Sequence, residues 1–236
     1  MLPPVYAIMI TNTDKRLDIA KKVGMRNFIE QTYVNKHLIV VNHGKVKLLK
    51  NQSDRYELMI EKNNLSLGDM RNLALDLVPM NSIWYVHDDD DIRPNDYVSF
   101  LVKKLLDSKA TAVFIKYRIE YIMPTAFVYV HKFENGTTHV MMRKIDKFKY
   151  LDEDTLEDVM IQDHLDKFNH KYITLNNDPK LYIRLNHYDN TSPFASEIKS
   201  SIETNNPLSN YKEYEISDKD KDYAHNIVKL YLYNNK

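Results

Sequence analysis

The sequence predicts an α/β protein, a Rossmann-like mixed sheet flanked by helices, and three observations carry that expectation. Short apolar runs alternate with segments of helical spacing through the first half, the pattern of strands joined by crossover helices. Beyond them the pattern turns to closely spaced strands, which makes the sheet mixed rather than wholly parallel. The length of 236 residues suits one such domain with a small appendage.

The elements follow in order. Residues 4–10 read as a buried first strand that closes at the polar turn Thr11-Asn12-Thr13-Asp14. Leu17, Ala20, Val23, Phe28 and Ile29 follow helical spacing and predict a helix of about four turns. The second strand spans 37–41 and ends at Asn42-His43-Gly44, and a third is expected at 56–60. Residues 67–77 read as a helix that stops before Pro79, and 82–87 as a strand running straight into Asp88-Asp89-Asp90-Asp91. Pro94 opens a helix over 94–106, since proline is favoured at a first helical position. Strands are then expected at 112–117, 125–131 and 139–143, with Asn135-Gly136 turning the last two into a hairpin. An amphipathic helix at 155–168, short strands at 172–175 and 181–185, and a late helix at 218–231 complete the pattern. The strand–helix alternation marks 1–110 as a nucleotide-binding half and 111–193 as a mixed half, with 194–236 a separate C-terminal extension.

Composition excludes several classes. Lys+Arg and Asp+Glu both number 33, so no global field draws the chain to nucleic acid or an acidic membrane, and any decisive charge is local. The absence of Cys excludes disulfides and zinc–thiolate sites and fits a reducing compartment. No basic, apolar signal segment opens the sequence, and no apolar run approaches the ~20 residues that span a bilayer, so a soluble cytoplasmic protein is expected.

The aspartate quartet is the strongest chemical signal. Adjacent carboxylates repel one another, a cost tolerated in water or around a cation. These follow an apolar strand and so lie at its carboxyl end, where open α/β sheets bind ligands. On an extended backbone Asp88 and Asp90 point the same way, and their hard oxygens suit Mn²⁺ or Mg²⁺ together with diphosphate oxygens and water. The alternative is a solvated acidic loop capping the next helix. His87 points away from Asp88 by the same alternation and reads as structural.

These segments, taken in order, resemble family 2 glycosyltransferases with a GT-A fold. Gln31-Thr32-Tyr33 before the second strand, Leu67-Gly68-Asp69-Met70-Arg71-Asn72, and His87-Asp88-Asp89-Asp90-Asp91-Ile92-Arg93-Pro94 resemble that family's helix end, its Leu-Gly-x-x-Arg-Asn segment and its Asp-x-Asp segment. Val140-Met141-Met142-Arg143 is similar to its strand before the acceptor site, and Arg184-Leu185-Asn186-His187 with Asn190-Thr191 to its Arg-x-x-His-x-x-Asn-Thr ending. The resemblance covers residues 4–193 and makes 111–193 the acceptor half, with the extension an acceptor lid, a dimer contact or a linker to a further domain.

It implies transfer of a sugar from a nucleoside diphosphate-sugar, a UDP-sugar in most such proteins, to a glycan or other hydroxyl acceptor with inversion. Asp88, Asp90 and His187 are then the metal ligands, with Asp89 beside the donor. Arg71 would contact base or phosphates, and Thr11 and Asn12 the nucleoside; a surface ion pair and ordinary turn chemistry are the alternatives. Where the family carries an Asp for the base, this chain has Asn42 and His43, which still accept hydrogen bonds but do not by themselves select uridine. The expected catalytic base is Asp158, with Glu157 and Asp163 in reserve; an acidic helix N-terminus is the alternative. Two other functions compete. A sugar nucleotidyltransferase would need a glycine-rich loop after the first strand, and Thr11-Asn12-Thr13-Asp14 has no glycine. A non-catalytic carbohydrate- or cation-binding module would ignore nucleotides.

Overall fold

The computed structural model describes residues 2–50, 53–60, 65–123, 126–132, 139–153, 160–176, 179–187 and 216–233. Strands β1 (Val5–Thr11), β2 (Lys36–Asn42), β3 (Arg55–Met59) and β4 (Ile83–Val86) form the nucleotide-side half of a seven-stranded sheet. β1 pairs in parallel with both β2 and β4, and β2 in parallel with β3. The alternation of side chains explains why these runs are apolar throughout. Ala7, Met9, Leu38, Val40, Ile83 and Tyr85 enter one hydrophobic cluster, while Ile8, Ile39, Val41, Trp84 and Val86 enter another.

The helix expected after β1 is present with a defect. Asn12 caps α1 (Thr13–Ile19) by accepting from the Asp14 amide, a π-helical segment spans Ala20–Met25, and α2 (Arg26–Glu30) continues it. Such π segments insert one residue into a turn and are frequent at functional sites. Ser66 caps α3 (Leu67–Asp76), as its hydroxyl's reach to the Asp69 amide requires. After β5 (Asp91–Ile92) the chain makes a turn from Pro94, and α4 (Tyr97–Ser108) begins later than its proline suggested, with the Tyr97 amide bonded to the Pro94 carbonyl.

Two expectations for the second half are corrected. The single strand at 112–117 is two strands, β6 (Ala112–Ile115) and β7 (Tyr117–Ile122), which part company at Lys116 and join different sheets. The hairpin is β7 with β8 (Phe127–Lys132), not 125–131 with 139–143. β9 (Val140–Arg143) instead inserts antiparallel between β4 and β6 in the large sheet. Asn135-Gly136 lies outside the described residues. β7 was hidden because Arg118 and Glu120 interrupt its apolar pattern; both are buried, and the Arg118 Nε–Glu120 Oε1 contact of 2.5 Å compensates them internally.

Helix α5 (Met160–Lys167) occupies the later part of its expected range, and residues 154–159 are not among those described. β10 (Tyr172–Leu175) pairs in parallel with β6 and closes the large sheet as β10-β6-β9-β4-β1-β2-β3. β11 (Ile183–Asn186) pairs with β5 and β7 to give a second sheet of four strands, β5-β11-β7-β8. The last helix, α6 (Asp218–Leu232), lays Ala224, Val228 and Tyr231 against Ile119, Val130 and Leu185 of that small sheet. Among the described residues no helix is long and apolar enough to cross a membrane.

Candidate functional site

The quartet lies where the two sheets meet. β4 of the large sheet ends at Val86, and Asp91 already belongs to β5 of the small one. Between them the backbone turns at Asp89 and Asp90 instead of staying extended, and Asp88 lies beside Arg71 whereas Asp90 lies beside Arg16 and His187. The turn is held from below. His87 is fully buried, its Nε2 donates to the Gly24 carbonyl at 2.8 Å, and its Nδ1 accepts from Arg93 at 3.3 Å. Burial, reinforced by Arg93, pushes its pKa down to about 3, so it is a neutral structural histidine, as its strand position predicted. Gly24 in the π segment donates to the Asp89 carbonyl at 3.1 Å, and a Cβ there would stand 2.8 Å from Asp89 Cα. The π segment therefore seats the acidic turn by direct backbone contact.

Each aspartate has its own surroundings. Asp88 is the most exposed, with Oδ1 3.7 Å from Arg71 Nη2. Asp89 is buried; Oδ2 accepts from the Thr11 hydroxyl at 2.6 Å and Oδ1 from Arg16 Nη2 at 2.7 Å. Burial outweighs Arg16 and pushes it up to about 7. Asp90 bonds Arg16 Nη2, and its Oδ2 lies 3.0 Å from His187 Nε2. Burial opposes its charge, yet Arg16 and then His187 hold it well below the usual carboxylate range. Asp91 faces the Tyr182 hydroxyl, and burial, followed by the like charges of Asp90 and Asp88, raises it well above that range. One run of sequence thus supplies a half-buried carboxylate beside Arg71, two in contact with the Arg16 guanidinium, and a fourth buried against the Tyr182 hydroxyl.

Around the turn the structure gathers most of the residues singled out in the sequence. Thr11 ends β1 on Asp89, and Asn12 Nδ2 stands 3.4 Å from His43 Nδ1 on the partly exposed rim. Asn42 is committed elsewhere. Its Oδ1 accepts from the Thr13 amide and hydroxyl and the Gly44 amide, and its Nδ2 donates to the Val46 carbonyl at 2.9 Å and Glu57 Oε1 at 2.7 Å. It shapes the 42–46 loop, leaving His43 at the rim.

Arg71 is buried on α3, 5.4 Å from the centre of the Tyr150 ring. The neighbouring Asn72 clasps the Tyr150 backbone on both sides, donating to its carbonyl at 3.0 Å and accepting from its amide at 2.8 Å. The Gly68 amide donates to the Glu153 carbonyl at 3.0 Å, and a Cβ at Gly68 would lie 1.7 Å from the Leu151 carbonyl oxygen. The Leu-Gly-x-x-Arg-Asn segment is thus a clamp on residues 150–153. Asp158 and Glu157, beyond that clamp, lie outside the described residues; Asp163 is exposed on α5.

Arg16 is the residue that sequence reasoning missed. Its guanidinium joins Asp89 and Asp90, and Nη2 lies 3.4 Å from His187 Nε2. The available signal was its place one helical turn after the cap Asn12. Of the three expected metal ligands, Asp90 and His187 converge and Asp88 stands apart beside Arg71. Among the described residues no three Asp, Glu, His or Cys side chains are spaced to enclose an ion. Asp90 brings a carboxylate, the kind of ligand that Mg²⁺ or Mn²⁺ takes together with phosphates and water, and His187 an imidazole beside it, while the Arg16 guanidinium lies against both.

No known family profile matches the chain. A segment of 90 residues, 36% of the chain, is 34% identical to the glycosyltransferase GlyA of Streptococcus pneumoniae serotype 4, and spans only 13% of that protein's length. Among solved structures, S. aureus TarS 1–349 in complex with UDP-GlcNAc matches 93% of this chain and 69% of its own length, with a TM-score of 0.63 and 14% identity. The UDP complex of the same protein matches 98% of this chain and 72% of its own, with a TM-score of 0.56 and 13% identity. The GT-A-type fold expected from the sequence is the fold observed.

Proposed function

We propose that the chain is a glycosyltransferase that moves a sugar from a UDP-sugar to an acceptor hydroxyl with inversion at the anomeric carbon. The observation that carries this is the meeting of Thr11, Asn12, Arg71, the aspartate quartet and His187 at the carboxyl edge of β1 and β4. Open α/β sheets bind nucleotides at that edge. The likeness to a fold crystallised with UDP-GlcNAc and UDP, and to a stretch of a named glycosyltransferase, supports the same reading.

The roles follow from position. Asn12 and His43 offer polar atoms at the rim to the nucleoside, and Asp88 a carboxylate to its ribose or to metal-bound water. Arg71, held in place by Tyr150, presents its cation beside Asp88 to the diphosphate. Mn²⁺ or Mg²⁺ would be held by Asp90 with His187 beside it, and would supply positive charge to the leaving diphosphate. Asp158 takes the proton of the attacking hydroxyl. The clamp of Gly68 and Asn72 holds residues 150–153 against the start of α3.

A nucleotide-sugar panel tests the reading by thermal stabilisation with and without Mn²⁺. A UDP-sugar at a hundred times its Kd stabilises by about 2.7 kcal/mol, and release of UDP accompanies product formation. Asp90→Ala and His187→Ala are expected to abolish the metal-dependent part. Stabilisation by no nucleoside diphosphate, or an undiminished response in both variants, would overturn the proposal; retained anomeric configuration in the product would remove the role given to Asp158.

A further inference from the structure

We propose that Arg184 is the residue through which the protein recognises an anionic group, a phosphate or a carboxylate, on its acceptor. The proposal rests on the glycosyltransferase reading above and deepens its acceptor side. Strand register places Tyr129, Glu120, Arg184 and Asp91 in one row across β8, β7, β11 and β5. Side chains alternate along each strand, and the neighbours Ile119, Val130, Ile183, Leu185 and Ile92 lie under α6. The row therefore stands on the opposite, polar face of the small sheet, and it meets the acidic turn at Asp91.

Both carboxylates beside Arg184 are engaged by other groups. Glu120 Oε1 lies 2.5 Å from Arg118 Nε, and its Oε2 accepts from Asn186 Nδ2 at 2.8 Å. Asp91 Oδ2 faces the Tyr182 hydroxyl and lies 3.9 Å from Arg93 Nη2. Arg16, Arg71, Arg93 and Arg118 each have a carboxylate oxygen at between 2.5 and 3.9 Å. Arg184 is half-buried, and among the described residues its guanidinium has neither an ion pair nor a hydrogen bond. A sheltered cation without an acceptor is costly, and its fork of N–H donors is available to a ligand. The charge around it favours an anion. Burial, then Arg118, lowers the pKa of His131, which pairs with Arg118 across the β7–β8 hairpin. The same two causes lower that of His139, with Arg184 adding to both. An arginine field that helps keep protons off two histidines attracts an oxyanion.

The row leads away from the donor. Arg71 and Asp88 stand by the large sheet's β1 and β4 edge, where the diphosphate is assigned, whereas Arg184 belongs to the small sheet. It is still close enough to Asp91 and Asp90 for both to stabilise its charge, so a group bound to it sits beside the acidic turn. Guanidinium takes two oxygens of one phosphate or carboxylate at once. The acceptor is accordingly an alcohol that carries such a group near the hydroxyl to be glycosylated.

Titration of the full chain with inorganic phosphate, read by ³¹P NMR line width with the protein saturated with UDP and Mg²⁺, tests this. Phosphate is expected to bind beside UDP. R184M should weaken it at least about tenfold while UDP affinity changes by less than about threefold. R184K, which keeps a point charge and loses the fork, should fall between wild type and R184M. R184Q carries the same expectation as R184M, with circular dichroism selecting the variant that folds. Acetate titrated in parallel separates the two anions, the tighter binder naming the acceptor's group. Phosphate displaced by UDP, with UDP affinity falling about tenfold in R184M, would move Arg184 to the donor and overturn the proposal. Phosphate binding that is absent, or unchanged in the neutral variant, overturns it as well and, with UDP bound normally, leaves the transferase reading standing. A wild type that binds no UDP overturns both.

Discussion

At the level of single residues, the buried surroundings of Asn42 dictate an amide rather than a carboxylate at the end of β2. The buried carboxylate of Glu57 takes the Asn42 amide at 2.7 Å and the Leu48 and Leu49 amides at 2.8 and 2.6 Å. An aspartate at 42 would set two carboxylates against each other in a buried site and lose both donors that Nδ2 supplies. Asn42→Asp is therefore expected to destabilise the fold by about 2–4 kcal/mol, read by urea denaturation, instead of improving uridine binding. An undiminished midpoint would show that Glu57 does not dictate the residue at 42. His139 carries a pH prediction. It is buried, stacked on Tyr182 at 3.7 Å, and its Nε2 accepts from Arg118 at 2.9 Å. Burial, then Arg118, lowers its pKa well below the ordinary value of 6.5, so the folded chain binds fewer protons than the unfolded one below that pH. Its contribution is fully present above about pH 6.5 and is lost as the pH falls toward the folded pKa. Melting temperatures from pH 7 to pH 5 should decline, and less steeply in His139→Gln; parallel curves would assign the acid sensitivity elsewhere.

Among elements, the clamp at the start of α3 gives the sharpest mutational test. Gly68 is required by close approach: a methyl group there meets backbone of the 150–153 segment, which cannot retreat as a flexible side-chain tip could. Gly68→Ala should move that segment and the residues beyond it, lowering kcat at least tenfold while UDP and Mn²⁺ affinity change by less than about threefold. Equal loss in donor binding would place the clamp's effect on the donor side. How much of this was legible in the sequence varies by element. β1, β2, β4 and the acidic turn could be read because strands buried on both faces leave unbroken apolar runs ending in polar residues. The clamp could be seen as a motif, but its action could not, because the partner segment is some eighty positions away and the contact is with backbone. β7 was missed because a compensated Arg118–Glu120 pair looks like solvent-facing charge in one dimension. The π segment was also invisible: it shifts the helical phase gradually, and Gly24 reveals its purpose only once the Asp89 backbone is seen against it.

For the whole molecule, the seam between the two sheets is the feature on which the site depends, and α6 bears on it from outside. The quartet crosses that seam, so its geometry holds only while β5 stays paired with β11 in the small sheet. α6 covers that sheet with Ala224, Val228 and Tyr231. It also reaches α2, where the Tyr231 hydroxyl donates to Glu30 Oε2 at 2.7 Å and accepts from Asn27 Nδ2 at 3.0 Å. Asn27 in turn donates to the Arg93 carbonyl at 2.6 Å, two residues beyond Asp91. Sequence alone offered 194–236 as a separable extension, because a helix's apolar face does not announce which surface it covers. Burying two large side chains at about 1.5–3 kcal/mol each, with these hydrogen bonds at about 1 kcal/mol each, makes α6 worth on the order of 5 kcal/mol. That is comparable with the whole stability of many domains. A chain ending at residue 193 is therefore expected to melt at least about 10 °C lower and to bind ANS, with UDP affinity reduced in the surviving folded fraction. Tyr231→Phe, which keeps the ring and removes the hydroxyl, should cost about 1–2 kcal/mol and shift the melting temperature in the same direction. A truncated chain that melts like the full one and binds UDP undiminished would make α6 a passenger, and the coupling of the small sheet's cover to the acidic turn would have to be abandoned.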